Sequence, residues 1–129
     1  MYRSNDGGET WRKTSDFGSP LEAKVYRSGV ILGYEGGHGY VRSVDRGMSW
    51  QRVPTRSSIL PIELPDGRLL TAGGGFLQIS ANGGRSWRPF GAKLPFPVAG
   101  MDYYTKGRTL YVFSDQDTSS PTSIVKRTL

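Results

Sequence analysis

The stretch SVDRGMSW, from Ser43 to Trp50, contains a spacing of residue types that occurs three times in this chain. The second copy begins 39 residues after the first, and the third begins 37 residues after the second. A fixed period of about 20 to 50 residues is typical of repeat architectures. The repeated positions are Ser4, Asp6, Gly8, Thr10 and Trp11, then Ser43, Asp45, Gly47, Ser49 and Trp50, and finally Ser80, Asn82, Gly84, Ser86 and Trp87.

Each residue type in the repeat has a physical role in a tight turn. Asp or Asn at the third position can accept hydrogen bonds from the amides that follow it, and Gly at the fifth position adopts positive φ without steric strain. The hydroxyls at the first and seventh positions are short enough to bond the loop backbone. The closing tryptophan is expected to bury most of its ring beneath the hairpin. The pattern therefore predicts three structural hairpin corners.

The pattern S-x-D-x-G-x-[ST]-W resembles the Asp-box, or BNR repeat, of sialidases, sortilin-type receptors, some glucanases and photosystem-assembly propellers. The resemblance implies that each box joins the third and fourth strands of a four-stranded propeller blade. It also implies that the box residues are structural. The third copy has Asn82 in place of Asp, which keeps a turn-forming side chain and loses its charge.

Short apolar or alternating runs between turn signals such as Pro65-Asp66-Gly67 predict further β-strands. The predicted strands cover residues 1–4, 11–14, 22–27, 29–34, 40–43, 50–53, 59–64, 68–72, 76–80, 87–90, 98–104, 109–114 and 123–128. The fold class expected is all-β. Residues 1–129 are interpreted as a single domain, or a partial propeller, of about three four-stranded blades.

The two ends of the chain are predicted to complement each other. Lys126-Arg127-Thr128 can be overlaid on Tyr2-Arg3-Ser4, which places Thr128 where a fourth box would start. The predicted strands then make up two whole blades, three strands of another blade and one separate fourth strand. Because propellers typically have about four to eight blades, the ring is expected to be completed by another copy or by another protein.

Composition limits the chemistry that the chain can support. There are no cysteines, which excludes a disulfide framework or a thiolate metal site, and neither a cofactor nor a metal is predicted. The sequence as given contains neither a leader-like pattern nor an apolar stretch of membrane-spanning length. The resemblance implies an extracellular or virion-associated location.

No catalytic residue is predicted. The resemblance to sialidases implies an arginine triad with a Tyr-Glu nucleophile and an Asp acid, but the nearest match to the first triad strand, residues 59–62, has no Arg before its proline. Asp115 and Asp117 lack the Gly and distal Glu of a calcium loop and are interpreted as a solvated turn. His38 has no obvious catalytic partner. Gly73–Gly75 favours a hairpin corner over a phosphate loop, since no helix follows it.

Positive charge is concentrated around the boxes. The chain has a net charge of +6, and its box-associated cations are Arg3, Arg12, Lys13, Arg42, Arg46, Arg52, Arg85 and Arg88. Because boxes share one end of a propeller, the seven arginines could form a basic rim for an anionic glycan, nucleic acid or acidic protein. The alternative is that they are solvated side chains that maintain solubility. Of the neighbours Tyr103 and Tyr104, one is expected to be core, because adjacent strand residues face opposite ways.

Three functions remain open from the sequence. The first is a non-catalytic binding or assembly module, used for glycan or protein recognition, in which another chain completes the ring. The second is a structural component of a phage tail or virion. The third is a fragment of a sialidase-like glycosidase whose catalytic residues lie elsewhere. An enzyme is the less favoured interpretation.

Overall fold

The prediction of an all-β chain is confirmed. The computed structural model describes residues 1–18, 20, 22–36, 38–55, 57, 59–95, 101–114 and 123–129, with only the backbone of 101–103, 113–114 and 123–125. The secondary structure of these residues consists of strands and turns, without an α-helix. Accordingly, the described part of the chain contains no helix of the length and apolar character needed to cross a membrane.

The strands form four antiparallel sheets, each made of strands that are consecutive in the chain. The first sheet contains β1 (Tyr2–Arg3) and β2 (Arg12–Lys13). The second contains β3 (Glu22–Val25), β4 (Ile31–Glu35), β5 (Gly39–Ser43) and β6 (Gln51–Val53). The third contains β7 (Ile62–Glu63), β8 (Leu69–Gly73), β9 (Phe76–Ser80) and β10 (Arg88–Pro89). The fourth contains β11 (Met101–Lys106), β12 (Thr109–Ser114) and β13 (Ser123–Thr128).

Each box lies between two paired strands. The second box joins β5 to β6, and the third joins β9 to β10, so in both four-stranded sheets the box connects the third and fourth strands. The first box joins β1 to β2, where Arg3 lies opposite Arg12. The repeat period seen in the sequence is therefore the period of the sheets.

One hydrophobic cluster lies between the second and third sheets. It contains Tyr26, Val30 and Leu32 from the second sheet and Leu69 from the third. The box of the third sheet packs against this cluster through Gly84. This glycine lies so near Leu32 that a Cβ added to it would be 2.8 Å from Leu32 Cδ1. Only glycine fits at that position without displacing the leucine.

A second cluster lies between the third and fourth sheets. It joins Leu70, Ala72, Leu77 and Ile79 of the third sheet to Leu110 and Val112 of β12 on the fourth. Since successive side chains of a strand point to opposite faces, β8 sends Leu69 to the second sheet and Leu70 to the fourth. All five β8 residues are buried, which explains why LLTAG is a nearly continuous apolar run.

The overlay of residues 126–128 on 2–4 does not predict which face of the fourth sheet Arg127 occupies. That overlay makes Arg127 equivalent to Arg42, which faces the following sheet and donates to Gly83 O. Arg127 instead faces the preceding sheet and donates to Ala92 O at 3.2 Å. The apolar face of β12 decides the orientation, because Leu110 and Val112 must be covered and lie fully buried against the third sheet.

Candidate functional site

The second box is a turn closed by its own side chains. Ser43 Oγ donates to Asp45 Oδ1 at 2.8 Å and accepts from the Gly47 amide at 2.8 Å. Asp45 also accepts from the Ser49 amide at 2.9 Å and from the Ser49 hydroxyl at 2.5 Å. Ser43 is 2% exposed, so its bond with the Gly47 amide satisfies groups withdrawn from water, whereas the bonds between Asp45 and Ser49 are exposed.

The other two boxes repeat this pattern. In the first box, Ser4 Oγ donates to Asp6 Oδ1 at 2.7 Å, and the Thr10 amide and hydroxyl both donate to Asp6. In the third box, the Ser86 amide donates to Asn82 Oδ1 at 3.0 Å. There, Asn82 Nδ2 donates to Ser86 Oγ at 2.8 Å, which reverses the direction of the equivalent bond. Asn therefore closes the same turn without a charge.

The donors around the box aspartates keep these carboxyls ionised. The Ser49 hydroxyl makes the largest contribution, followed by the Ser49 amide and the Ser43 hydroxyl, and together they lower the pKa of Asp45 to about 2. The pKa of Asp6 is lowered in the same way, first by the Thr10 hydroxyl. Both carboxylates have their acceptor positions directed into the turn, which is the arrangement of a structural group and not of a proton donor.

The three box tryptophans have different surroundings. Trp87 packs on Tyr40 of the second sheet, with ring centroids 5.7 Å apart. Trp50 is half-buried, and its Nε1 donates to Gly47 O at 3.1 Å. Trp11 is 64% exposed, so the expectation that every box tryptophan buries its ring beneath its hairpin is wrong for the first box. Of the three rings, Trp87 is the one seen to pack on an aromatic residue of a neighbouring sheet, whereas Trp50 bonds its own hairpin.

The contact between neighbouring sheets is repeated. Between the second and third sheets, Arg42 Nε donates to the box carbonyl Gly83 O at 2.7 Å, two residues before Arg85. Between the first and second sheets, one cleft is lined by Arg3 and Met48, which correspond to Arg42 and Arg85. A second cleft at that boundary is lined by Met1 and Trp50, which correspond to Tyr40 and Trp87. At the second boundary, residues of β5 contact the box of the following sheet, and at the first boundary the equivalent residues line shared clefts.

Six of the seven predicted rim arginines lie in or beside the boxes with no carboxylate partner among the described residues. These are Arg3, Arg12, Arg42, Arg46, Arg85 and Arg88. Arg52 does not belong with them. It pairs with Glu35, with Nε 3.0 Å from Oε2, at the β4–β5 turn, which is the end of the second sheet opposite its box.

The remaining sequence candidates do not form a reactive cluster with the described residues. His38 is exposed in the β4–β5 turn. Gly74 and Gly75 form the tight turn between β8 and β9, as the hairpin interpretation predicts. Tyr104 is 56% exposed and packs on Tyr111, with centroids 6.0 Å apart. Asp115, Asp117 and the side chain of Tyr103 lie outside the described part of the chain.

Sequence reasoning missed Tyr40, the residue that ties the second sheet to the third. Its hydroxyl bonds Thr71 Oγ1 at 3.1 Å and donates to Ile59 O, and Tyr40 is fully buried. Burial raises the pKa of this phenol. Tyr40 stands three residues before the serine of the second box, and Met1 and Leu77 occupy the same position in the other two copies. This repeated position is the sequence signal that could have identified Tyr40.

Comparison with known proteins supports the repeat itself. Residues 2–13, which contain the first box, match the family model of the BNR/Asp-box repeat. No curated protein matches the chain. The second and third copies make the same turn hydrogen bonds as the matched copy. The chain thus carries the BNR/Asp-box repeat within an all-β fold.

Proposed function

We propose that this chain is a non-catalytic Asp-box β-propeller module for glycan or protein recognition, whose ring is completed by another chain. The observations that carry the proposal are the packing of the third box on the second sheet and the exposure of Trp11, the equivalent tryptophan of the first box. The box of the third sheet packs on the second, with Trp87 against Tyr40. Trp11, the equivalent of Trp87, is 64% exposed and has no preceding sheet among the described residues.

Two features favour a propeller blade as the identity of each four-stranded sheet. The strands of each sheet are consecutive in the chain, and a box joins the third strand to the fourth. The box of the third sheet also packs on the second sheet, as Arg42 with Gly83 and Tyr40 with Trp87 illustrate. Radial repetition of such antiparallel sheets is the architecture of a propeller.

A structural role for the boxes favours binding over catalysis. The carboxylates of Asp6 and Asp45 already accept the hydroxyl and amide of the residue four positions later. Most glycosidases need a carboxyl group that can give up a proton and a second carboxyl beside it, and sialidases, which use a Tyr nucleophile, still need the acid. These two are held ionised in separate turns.

The proposed mode of assembly is strand sharing. The outer edge of β13 has no partner strand among the described residues, and β2 pairs only with the two-residue strand β1. An open edge favours pairing with another chain. Strand β2 of one copy would pair with β13 of another and displace the β1 residues Tyr2–Arg3. Two copies would give six blades with two-fold symmetry.

The mass in solution tests this proposal. Light scattering should give twice the mass of one chain, and a stable monomer would overturn completion by a second copy. Trp11→Arg should yield a folded monomer, because the side chain is exposed within one chain and covered only on assembly. Val44→Arg is the matched control, since Val44 is 62% exposed and its equivalent Ala81 remains exposed beside a neighbouring sheet.

A second measurement tests the proposal that the chain is non-catalytic. The purified chain should release no sialic acid from a fluorogenic sialoside. Release above a heat-treated control would show that the chain is a glycosidase.

A further inference from the structure

The third box differs from the other two by the loss of a negative charge. Asn82 occupies the position of Asp6 and Asp45, and it closes the turn with the same acceptor, Oδ1, at 3.0 Å from the Ser86 amide. The aspartates at the other two boxes are held ionised by their hydrogen bonds. The substitution therefore removes one formal charge and leaves the turn intact.

A second position of the same box is changed in the same electrostatic direction. Arg85 stands at the sixth box position, which is Glu9 in the first copy and Met48 in the second. Arg85 is exposed. Both differences from the repeat therefore make this one corner more positive.

Arg42 brings a further guanidinium to this corner from the neighbouring sheet. Its Nε is committed to Gly83 O at 2.7 Å, which orients the side chain over the box. Its Nη2 lies 3.4 Å from the position that a Cβ of Gly83 would occupy. Arg85 follows Gly83 by two residues, so its charge lies near this guanidinium, and partial burial followed by the charge of Arg85 lowers the pKa of Arg42. A third-box corner can thus be defined by Arg42, Asn82 and Arg85.

The third-box corner has no counter-charge from the described residues. Their ion pairs involve Lys13, Arg27, Arg52 and Arg68, and neither of the two corner arginines. Neighbouring like charges repel unless an anion lies between them. Guanidinium groups bind planar or tetrahedral oxyanions through paired N–H donors, and the terminal nitrogens of Arg42 have no acceptor among the described residues.

We propose that the third-box corner binds the acidic groups of a polysaccharide, either sulfate or carboxylate. The inference rests on the binding role proposed above and is independent of ring completion. A polysaccharide fits better than a nucleic acid because single-stranded nucleic acids are held largely by stacking of bases on exposed aromatic rings. The aromatic ring of this corner, Trp87, is half-buried and packed on Tyr40.

Heparin and hyaluronan are the probes, since one carries sulfate and carboxylate and the other carries carboxylate alone. Affinity should be measured by titration calorimetry at two salt concentrations, with a single-stranded oligonucleotide as the competing polyanion. Asn82→Asp and Arg85→Met install residues that the second box already tolerates, so both variants should fold. Each is expected to weaken heparin binding roughly tenfold, the scale of one hydrogen bond to a charged group.

Lys93→Gln is the matched control. It also lowers the net charge by one, but Lys93 is exposed beside Gly75 at the β8–β9 turn, the opposite end of the same sheet. Its binding should equal that of the unmodified chain. Hyaluronan binding at a similar affinity would assign the site to carboxylates, and binding to heparin alone would assign it to sulfates.

Three results would overturn the proposal. Equal weakening by all three variants would indicate a general charge effect, unchanged binding by Asn82→Asp would remove the site, and tighter binding of the oligonucleotide would assign the corner to nucleic acid. The mass of each variant is measured in parallel. A dimer that does not bind heparin would contradict the proposed site and leave ring completion standing. A monomer that binds heparin would contradict ring completion and leave the site standing.

Discussion

The rings of Trp87 and Tyr40 lie 5.7 Å apart, centroid to centroid, with their planes inclined by 59°. The two residues belong to different sheets, so the contact joins a box to the sheet that precedes it. Tilted aromatic pairs at this separation contribute about 0.5 to 1.5 kcal/mol beyond the area that they bury. The box tryptophan therefore stabilises the boundary between sheets.

This placement predicts opposite outcomes for two equivalent tryptophans. Trp87→Ala should lower the free energy of unfolding by about 3 kcal/mol, as large aromatic truncations in packed sites do. Trp11→Ala should change it by less than about 0.5 kcal/mol, because the exposed ring has little to lose. Urea denaturation at a concentration that keeps the chain monomeric measures both. Equal midpoints for the two variants would contradict a role at the boundary.

Ser43→Ala should destabilise the chain by about 1 to 2 kcal/mol. The hydroxyl satisfies the buried Gly47 amide at 2.8 Å, and its loss leaves that donor without a partner. Ser4→Ala is the comparison, since Ser4 makes the same bond to Gly8 at 2.7 Å in a more exposed box, where water can replace it. Denaturation midpoints should fall further for Ser43→Ala, and the reverse order would contradict this explanation.

Stability should decrease in acid through Asp45. Its pKa falls from the ordinary 3.8 to about 2 on folding, so its contribution is complete above about pH 4 and is lost as the pH falls towards 2. Asp45→Asn, which reproduces the third box, should flatten the pH dependence in this window. Urea midpoints between pH 2 and pH 5 test this, and an identical slope in both proteins would refute it.

Two ion pairs of different exposure should respond differently to neutralisation. Arg52→Gln leaves Glu35, which is 8% exposed, without its guanidinium partner and should lower the thermal midpoint clearly. Lys13→Gln breaks the pair with Asp16, whose side chain is 92% exposed, and should have almost no effect. Thermal unfolding followed by circular dichroism distinguishes them. Similar midpoints for both variants would show that Glu35 is solvated.

The sequence was sufficient to predict the strands found in the described residues, with shifted bounds for several of them, and the place of the three boxes. The boxes were predictable because Asp, Gly and the hydroxyls determine the turn through contacts within eight residues. Prediction failed for side chains whose surroundings depend on residues distant in the sequence. The sequence of the first box does not distinguish the exposed Trp11 from Trp87, and Arg52 was placed at the wrong end because Glu35 lies 17 residues away.

The orientation of β12 illustrates a second limit. Periodicity indicates which residues share a face of a strand, but not which side of the molecule that face meets. The sequence pattern alone allows Leu110 and Val112 to face either side of the molecule. They face the third sheet because its apolar surface covers them.

The boundary between sheets also sets an order of unfolding. Each sheet is stabilised mainly by its direct neighbours, so stability should propagate along the chain as in other repeat proteins. The first hairpin has a two-residue ladder and a largely exposed tryptophan, Trp11. In a single chain, its amides should exchange with solvent well before those of β8, which is buried on both faces. The surface exposed for assembly would then be the first part of the chain to open.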